Sequence, residues 1–178
     1  ITTTGPLDAL DHSSKKSHYG FRIGIDLTSK ETPLINKAFY NDVNNENIKS
    51  INKNILDVVT PIIEDKHYVL FLKFNKEEMT DTSTLIKELK ENELTNKFKF
   101  IFLFDQYTDI QSYRTLFWRL FNNIDGDRDL YFNDDKLIVD ATRKLPSENG
   151  GREWPNDIVM TNEIINLVNE KWSSYGIE

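Results

Sequence analysis

No cysteine occurs among the 178 residues, so disulfides, thiolate nucleophiles, Cys-ligated zinc and iron-sulfur clusters are excluded from this stretch. That absence mildly favours a cytosolic address. Glycine is sparse, and its 7 copies form neither a dinucleotide fingerprint nor a P-loop, which argues against phosphate cradling by this segment. A Ser-His-Asp order with a nucleophile elbow is also missing. The three histidines, His12, His18 and His67, are too few and too irregularly spaced for a recognisable metal site, although Asp8 and Asp11 could add ligands beside His12. The plain reading of Asp8, Asp11 and His12 is a hydrogen-bonded turn, and of His67 a structural side chain. Basic residues number 22 against 29 acidic, a formal charge of -7 with no basic tract, so a general grip on nucleic-acid phosphates is disfavoured. There is no leader-like apolar segment and no run of about eighteen apolar residues to span a bilayer. The first residue is not methionine, and a dense motif lies within the first thirty residues with no element before it. We therefore expect the chain to be cut from something longer.

What is present suits a soluble globular fold: 38% hydrophobic, 12% aromatic and 29% charged residues, in a length that accommodates one domain or a domain with an appendage. Residues 1–30 read as a short strand and a long loop. Ile48, Ile51, Ile55 and Val58 recur at helical spacing and predict one amphipathic helix that ends before Pro61. Tyr68 to Leu72 is a continuous apolar run, as in strands covered on both faces of a parallel sheet. Asp81 is placed to cap a helix carrying Leu85, Ile86 and Leu89, and Phe98 to Phe104 then completes a β-α-β unit with a right-handed crossover. Tyr113, Leu116, Phe117, Leu120, Phe121 and Ile124 follow the helical rule, with Asp109 or Ser112 as cap, and the aromatic stripe is read as core. Leu137 to Val139 supplies a third strand. Thr161 opens a last helix whose Ile164, Ile165, Val168 and Trp172 are expected to face inward. The expected fold class is α/β: a layered domain with a mostly parallel sheet flanked by helices and a carboxyl-terminal helix packed on it.

Three motifs invite chemistry. Asp125-Gly126-Asp127-Arg128-Asp129 starts like a calcium loop, but Leu130 stands where glycine is required and Lys136 where a bidentate Glu is required. A solvated turn with an internal Arg-Asp pair fits better. Asp105, at a strand end, suggests a phospho-acceptor, but the acidic pair expected on an earlier strand is missing. Finally, Gly24 to Lys30 and Ile138 to Lys144 share the ending Asp-x-Thr-x-Lys, which suggests two related modules, the first represented by its tail.

Taken in order, these stretches resemble the carboxyl-terminal region of the UbiD-like carboxy-lyases. The residues that carry the resemblance are Lys99-Phe100-Ile101 through Asp105, Trp118, Asp125 to Asp129, Asp140-Ala141-Thr142-Arg143-Lys144, Arg152-Glu153-Trp154-Pro155 and the helix with Trp172. Gly5-Pro6-Leu7-Asp8-Ala9-Leu10-Asp11-His12 and Gly24 to Lys30 match the family's remaining stretch but precede the strand they should follow. The resemblance therefore implies residues 1–30 as the tail of a first carboxyl-terminal module, 31–66 as a helical connector, and 67–178 as a second, shortened α/β module. Gln106 and Tyr107 replace acidic residues, Asn123 replaces an Arg and Gly126 a Pro. Only Leu130 to Lys136 separate the Arg-Asp turn from the next strand, so the second module is expected to lack its pocket wall.

The family uses prenylated FMN, with Mn2+ at its phosphate, to decarboxylate aromatic or α,β-unsaturated acids, including 3-octaprenyl-4-hydroxybenzoate-like quinone precursors. Loss of CO2 from an sp2 carbon leaves a carbanion with no acceptor orbital, hence the need for an electron sink. The resemblance places that flavin and the Arg-Glu-Glu proton network in an upstream domain of the same chain, so no catalytic, cofactor or metal residue is expected here. It implies Pro6 and Leu7 as a substrate-pocket wall, and Lys99 as the counterpart of a lysine near the cofactor phosphate, reduced here to a surface or ion-pair residue. The implied partners are the upstream domain, an aromatic acid and further copies in a homo-oligomer, without nucleic acid, at a cytoplasmic address at most peripheral to a membrane. The alternative is a non-catalytic α/β interaction or oligomerisation module.

Overall fold

A computed structural model of the chain describes residues 2–6, 12–14, 16, 19–23, 44–61, 68–76, 82–133 and 135–176. Leu7, Asp8, Asp11, His18, His67, Asp81 and the stretch 24–30 lie outside these.

Near the amino end, β1 (Thr2–Pro6) pairs antiparallel with β2 (Tyr19–Ile23), Thr2 opposite Ile23 and Pro6 opposite Tyr19. The helix predicted across residues 48–58 is corrected: α1 (Asn45–Lys49) is short, and Ile55 and Val58 lie on β3 (Ile55–Val59). Asn44 caps α1 by accepting from the backbone N–H of Glu46 and Asn47. The misleading spacing has a cause. The pairing register shifts between Ile55 and Asp57, and such a bulge lets two residues three apart bury on one face. A bulged strand thus imitates helical periodicity.

Seven further elements complete the body: β4 (Val69–Phe74), α2 (Ser83–Glu91), β5 (Phe100–Asp105), α3 (Tyr113–Asn123), the single turn α4 (Gly126–Asp129) and the hairpin of β6 (Leu130–Asn133) with β7 (Lys136–Asp140). The sheet order is β3-β4-β5-β7-β6. β4, β5 and β7 form a parallel centre, and β3 and β6 border it as antiparallel edges, so the five-stranded sheet is mixed. Both edges were hidden in the sequence, one by the bulge and the other because Leu130 to Lys136 reads as a spacer.

The sheet is apolar on both faces. Leu70, Leu72 and Phe74 alternate into one layer with Leu85, Ile86 and Leu89 of α2 and with Phe98, Ile101, Leu103 and Ile138. On the other face Phe104, Ile110, Leu116 and Ala141 are buried, with Phe71, Phe102, Leu120 and Ile124 packed against them. Each fully buried side chain of this size contributes about 1.5–3 kcal/mol.

Two expectations about helices are corrected. Ser112 caps α3 as foreseen, accepting from Thr115 N at 3.4 Å, but Tyr113, Phe117 and Phe121 are exposed. The buried face lies further round and includes Arg119 and Asn123; Asn123 donates to the Ala141 carbonyl at 2.9 Å. Polar partners on the body, invisible in a hydrophobic pattern, set the rotation of this helix. Thr161 likewise caps α5 (Asn162–Lys171), yet none of that helix's residues is buried. Ile164, Ile165 and Trp172 face solvent and Val168 is only half-buried, so the last helix is not packed on the sheet. Among the described residues no helix is long and apolar enough to cross a membrane.

Candidate functional site

The three parallel strands end side by side at Phe74, Asp105 and Asp140. In open α/β sheets, ligands bind beyond such carboxyl ends. A cavity of about 570 Å³ lies there, lined by the residues that follow each strand: Lys76 after β4, Gln106 and Tyr107 after β5, Arg143 to Pro146 after β7. Glu153 and Trp154 close the remaining side.

Its floor is a web of matched charges. The Gln106 amide spans two strand ends, accepting from Lys76 N at 3.1 Å and donating to Lys76 O at 3.2 Å. Lys76 Nζ is 2.7 Å from Glu148 and donates to Thr142 Oγ1 at 3.0 Å. Asp140 accepts from Thr82 Oγ1, from Thr142 N at 2.9 Å and from Thr142 Oγ1 at 2.6 Å. Lys144 Nζ sits between Asp140 at 3.0 Å and Asp129 at 3.4 Å, and also donates to the carbonyls of Asp140 and Thr142, both at 2.8 Å. Burial alone would push the Asp140 carboxyl up; Lys144, Lys76 and the two threonine hydroxyls outweigh it and hold the group well below the usual carboxylate range. For Asp129 burial wins over Lys144 and Arg128, and its carboxyl is raised.

Asp105 is fully engaged. One oxygen accepts from Tyr107 N and Thr108 Oγ1, each at 3.1 Å, and the other accepts from Arg143 N at 3.1 Å. That arrangement suits an anchor for the strand ends rather than a phospho-acceptor. Arg143 lies over the Tyr107 ring, 4.7 Å from its centroid, and forms the cationic rim.

The end of the displaced Gly-Pro-Leu stretch, from His12 on to Ser14, contacts the second module. Arg128 Nη2 donates to Ser13 O at 2.8 Å, Arg152 donates to Ser14 O, and the His12 ring stands edge-on to Trp154 with centroids 4.8 Å apart. β2 also lies against α4. Residues 12–14 thus meet the second module at Arg128, Arg152 and Trp154, but none of His12, Ser13 and Ser14 lines the cavity. The Asp125–Asp129 reading is corrected. Its Arg-Asp pair exists, at 2.7 Å, but Asp129 is fully buried rather than solvated, and the turn anchors the loop. The backbone that presents Arg152 needs Gly150 and Gly151 at φ 63° and 82°, a region that side chains disfavour.

Of the remaining sequence candidates, Pro6 ends β1 exposed and is not among the described residues lining the cavity, and Leu7 lies outside the described residues. Lys99 is ion-paired with Asp135 at the sheet's amino-terminal side. The site residues that sequence reasoning missed, Gln106, Tyr107, Arg143 and Trp154, carried one usable signal: the first three lie within three residues of a strand end.

Residues 38–152 match the family described as the 3-octaprenyl-4-hydroxybenzoate carboxy-lyase C-terminal domain, UbiD for short. The chain belongs to this family. An uncharacterized protein of Helicobacter pylori (strain J99) is 26% identical over 185 residues, covering 96% of this chain and 27% of the relative. One of Aquifex aeolicus is 32% identical over 96 residues, covering 45% of this chain and 20% of the relative. The chain thus spans roughly a quarter of the length of its Helicobacter relative. Vanillic acid decarboxylase of Sedimentibacter hydroxybenzoicus, in closed form, superposes with a TM-score of 0.54 at 13% identity, over 75% of this chain and 31% of that one. An evolved dimeric form of the UbiD-class enzyme HmfF from Pelotomaculum thermopropionicum, in complex with prFMN, gives 0.53 at 13% identity, over 70% and 28%. At such identities the likeness is one of fold.

The UbiD fold raises the question of a flavin and its metal. Among the described residues no group of three or more His, Asp or Glu side chains could hold a metal ion. A flavin phosphate needs several disengaged donors, whereas Lys76 and Lys144 already serve Glu148, Thr142, Asp140 and Asp129. These residues do not fit as a phosphate cradle.

Proposed function

We propose that this chain is the carboxyl-terminal part of a UbiD-class carboxy-lyase that decarboxylates an aromatic or unsaturated acid, of the 3-octaprenyl-4-hydroxybenzoate kind used in quinone biosynthesis. In this reading the prenylated FMN, its Mn2+ and the proton donor sit in an upstream domain of the same polypeptide. Residues 1–30 are the tail of a first module, 31–66 the connector and 67–178 the second module, whose sheet borrows β3 from the connector. The segment itself serves packing and subunit association, and Pro6 and Leu7 contribute a pocket wall. The observation that carries the reading is the family match over residues 38–152.

The test begins with the complete reading frame. The product should carry flavin absorbance and release CO2 from at least one member of a panel of aromatic and α,β-unsaturated acids. Leu7→Trp should then change turnover, and unchanged kinetics would remove Leu7 from the pocket. A flavin-free product, with no upstream Arg and pair of Glu residues, favours the second reading, a non-catalytic interaction or oligomerisation module. That reading draws on the internal pairing of the cavity's lysines.

A further inference from the structure

Every cation that lines the cavity at the strand ends already faces a carboxylate. Lys76 is paired with Glu148, Lys144 with Asp140 and Asp129, and Arg143 with Asp157. Arg143 Nε has no hydrogen-bond partner, yet it lies 3.9 Å from Asp105 Oδ2, so its charge is answered as well. Asp105 in turn accepts hydrogen bonds from Tyr107, Thr108 and Arg143. Glu153 differs. It lines the same cavity and is exposed, and among the described residues it has neither an ion pair nor a hydrogen bond. Of the charged residues described in the lining, Glu153 alone lacks a counter-charge, in a chain whose formal charge is -7.

The rest of the lining is flat or apolar. Tyr107 is 65% exposed, with Arg143 over its ring, and Trp154, Leu145 and Pro146 supply further apolar surface. An aromatic face attracts a cation through its quadrupole, and the attraction grows as water is excluded. A carboxylate beside such rings adds to that attraction and repels an acid. The volume, about 570 Å³, suits a small molecule. We propose that this cavity binds a small organic cation, an amidinium, guanidinium or alkylammonium group carried on a planar or apolar body, with the charge held by Glu153 and the body against Tyr107 and Trp154. An acid would find Lys76 and Lys144 engaged and Glu153 opposing it. The site therefore selects the charge opposite to that of a carboxylic acid substrate, and it stands apart from whether the complete protein is a lyase.

Benzamidine and benzoate test the sign of the charge, because they have nearly the same planar shape and opposite charges. In calorimetric titrations of the complete protein, benzamidine should bind saturably. Glu153→Gln and Tyr107→Leu, both at exposed positions, should each weaken it about two- to fivefold. Glu93→Gln, which alters an exposed carboxylate between α2 and β5, should leave it unchanged. Benzoate, wherever it binds, should lose affinity in neither cavity variant. Benzoate affinity that falls with Tyr107→Leu would overturn the proposal, since the aromatic wall would then serve an acid. So would the absence of saturable benzamidine binding, or a benzamidine affinity indifferent to Glu153→Gln. A carbodiimide cross-link from Glu153 to a lysine elsewhere in the complete protein would overturn it too, because the protein would then supply its own cation. CO2 release is not a readout here, so a failed lyase assay leaves the titration result standing.

Discussion

Asp157 receives both terminal nitrogens of Arg119, Nη1 reaching Oδ1 at 2.7 Å and Nη2 binding Oδ2, while Arg143 Nη2 shares Oδ2 at 2.7 Å. One carboxylate thus bridges two guanidinium groups, one of them buried on α3. It also fixes where the carboxyl-terminal arm begins.

Removing that carboxylate strands a buried cation, because Arg119 Nε already lacks a hydrogen-bond partner. Asp157→Ala should cost about 3 kcal/mol in urea unfolding. Protease cleavage between Pro155 and Thr161 should also accelerate. A loss under about 1 kcal/mol would mean that water reaches Arg119 and that the pair is ornamental.

Acid should act through the same group. Hydrogen bonding from Arg119 holds the Asp157 carboxyl below its usual 3.8, and Asp140 is likewise depressed. A depressed carboxyl contributes stability that is complete above the unfolded value and is lost as pH falls through the folded one. Asp129, raised by burial, runs the other way and softens the onset. The thermal midpoint should therefore fall chiefly below about pH 4. Asp157→Asn should flatten that decline; an equally steep decline in the variant would acquit Asp157.

Lys144 offers a sharper test of the buried web. Lys144→Met leaves Asp129 and Asp140 facing each other without the ammonium between them, an expected loss of about 3–5 kcal/mol. The double variant with Asp140→Asn should lose less than the sum of the two singles, because the repulsion is gone. Strict additivity in denaturant titrations would contradict the coupling.

Lys99 should matter little. Its partner Asp135 is exposed, and pairs of that kind contribute at most about 1 kcal/mol. If the complete protein carries the proposed flavin, Lys99→Ala should retain it, measured by absorbance after gel filtration. Loss of flavin would show that the ion-pair reading is wrong.

Strands β4, β5 and β7 were legible because continuous apolar runs leave few alternatives in a sheet covered on both faces. Ser112 and Thr161 were legible as caps because their side-chain chemistry is local. The bulge at Ile55 to Asp57 was not, since only pairing with β4 reveals the extra residue. Nor was the turn of α3, which Asn123 and Arg119 dictate through partners 18 and 38 residues away. The cavity was half-legible: residues after strand ends can be listed from sequence, but the contacts of residues 12–14 with Arg128, Arg152 and Trp154 cannot.

Those contacts bear on how such a chain can be rearranged. Ser13 and Ser14 present carbonyl oxygens to Arg128 and Arg152 across separations of 115 and 138 residues, so these two contacts read a backbone and not its place in the reading order. A synthetic peptide spanning the first hairpin should therefore rejoin a protein from which it was deleted, and the same segment could be spliced in before or after the sheet without redesigning the two arginines that hold it. Topological reshuffling of this kind leaves the architecture intact while blurring the ancestry that linear alignment depends upon.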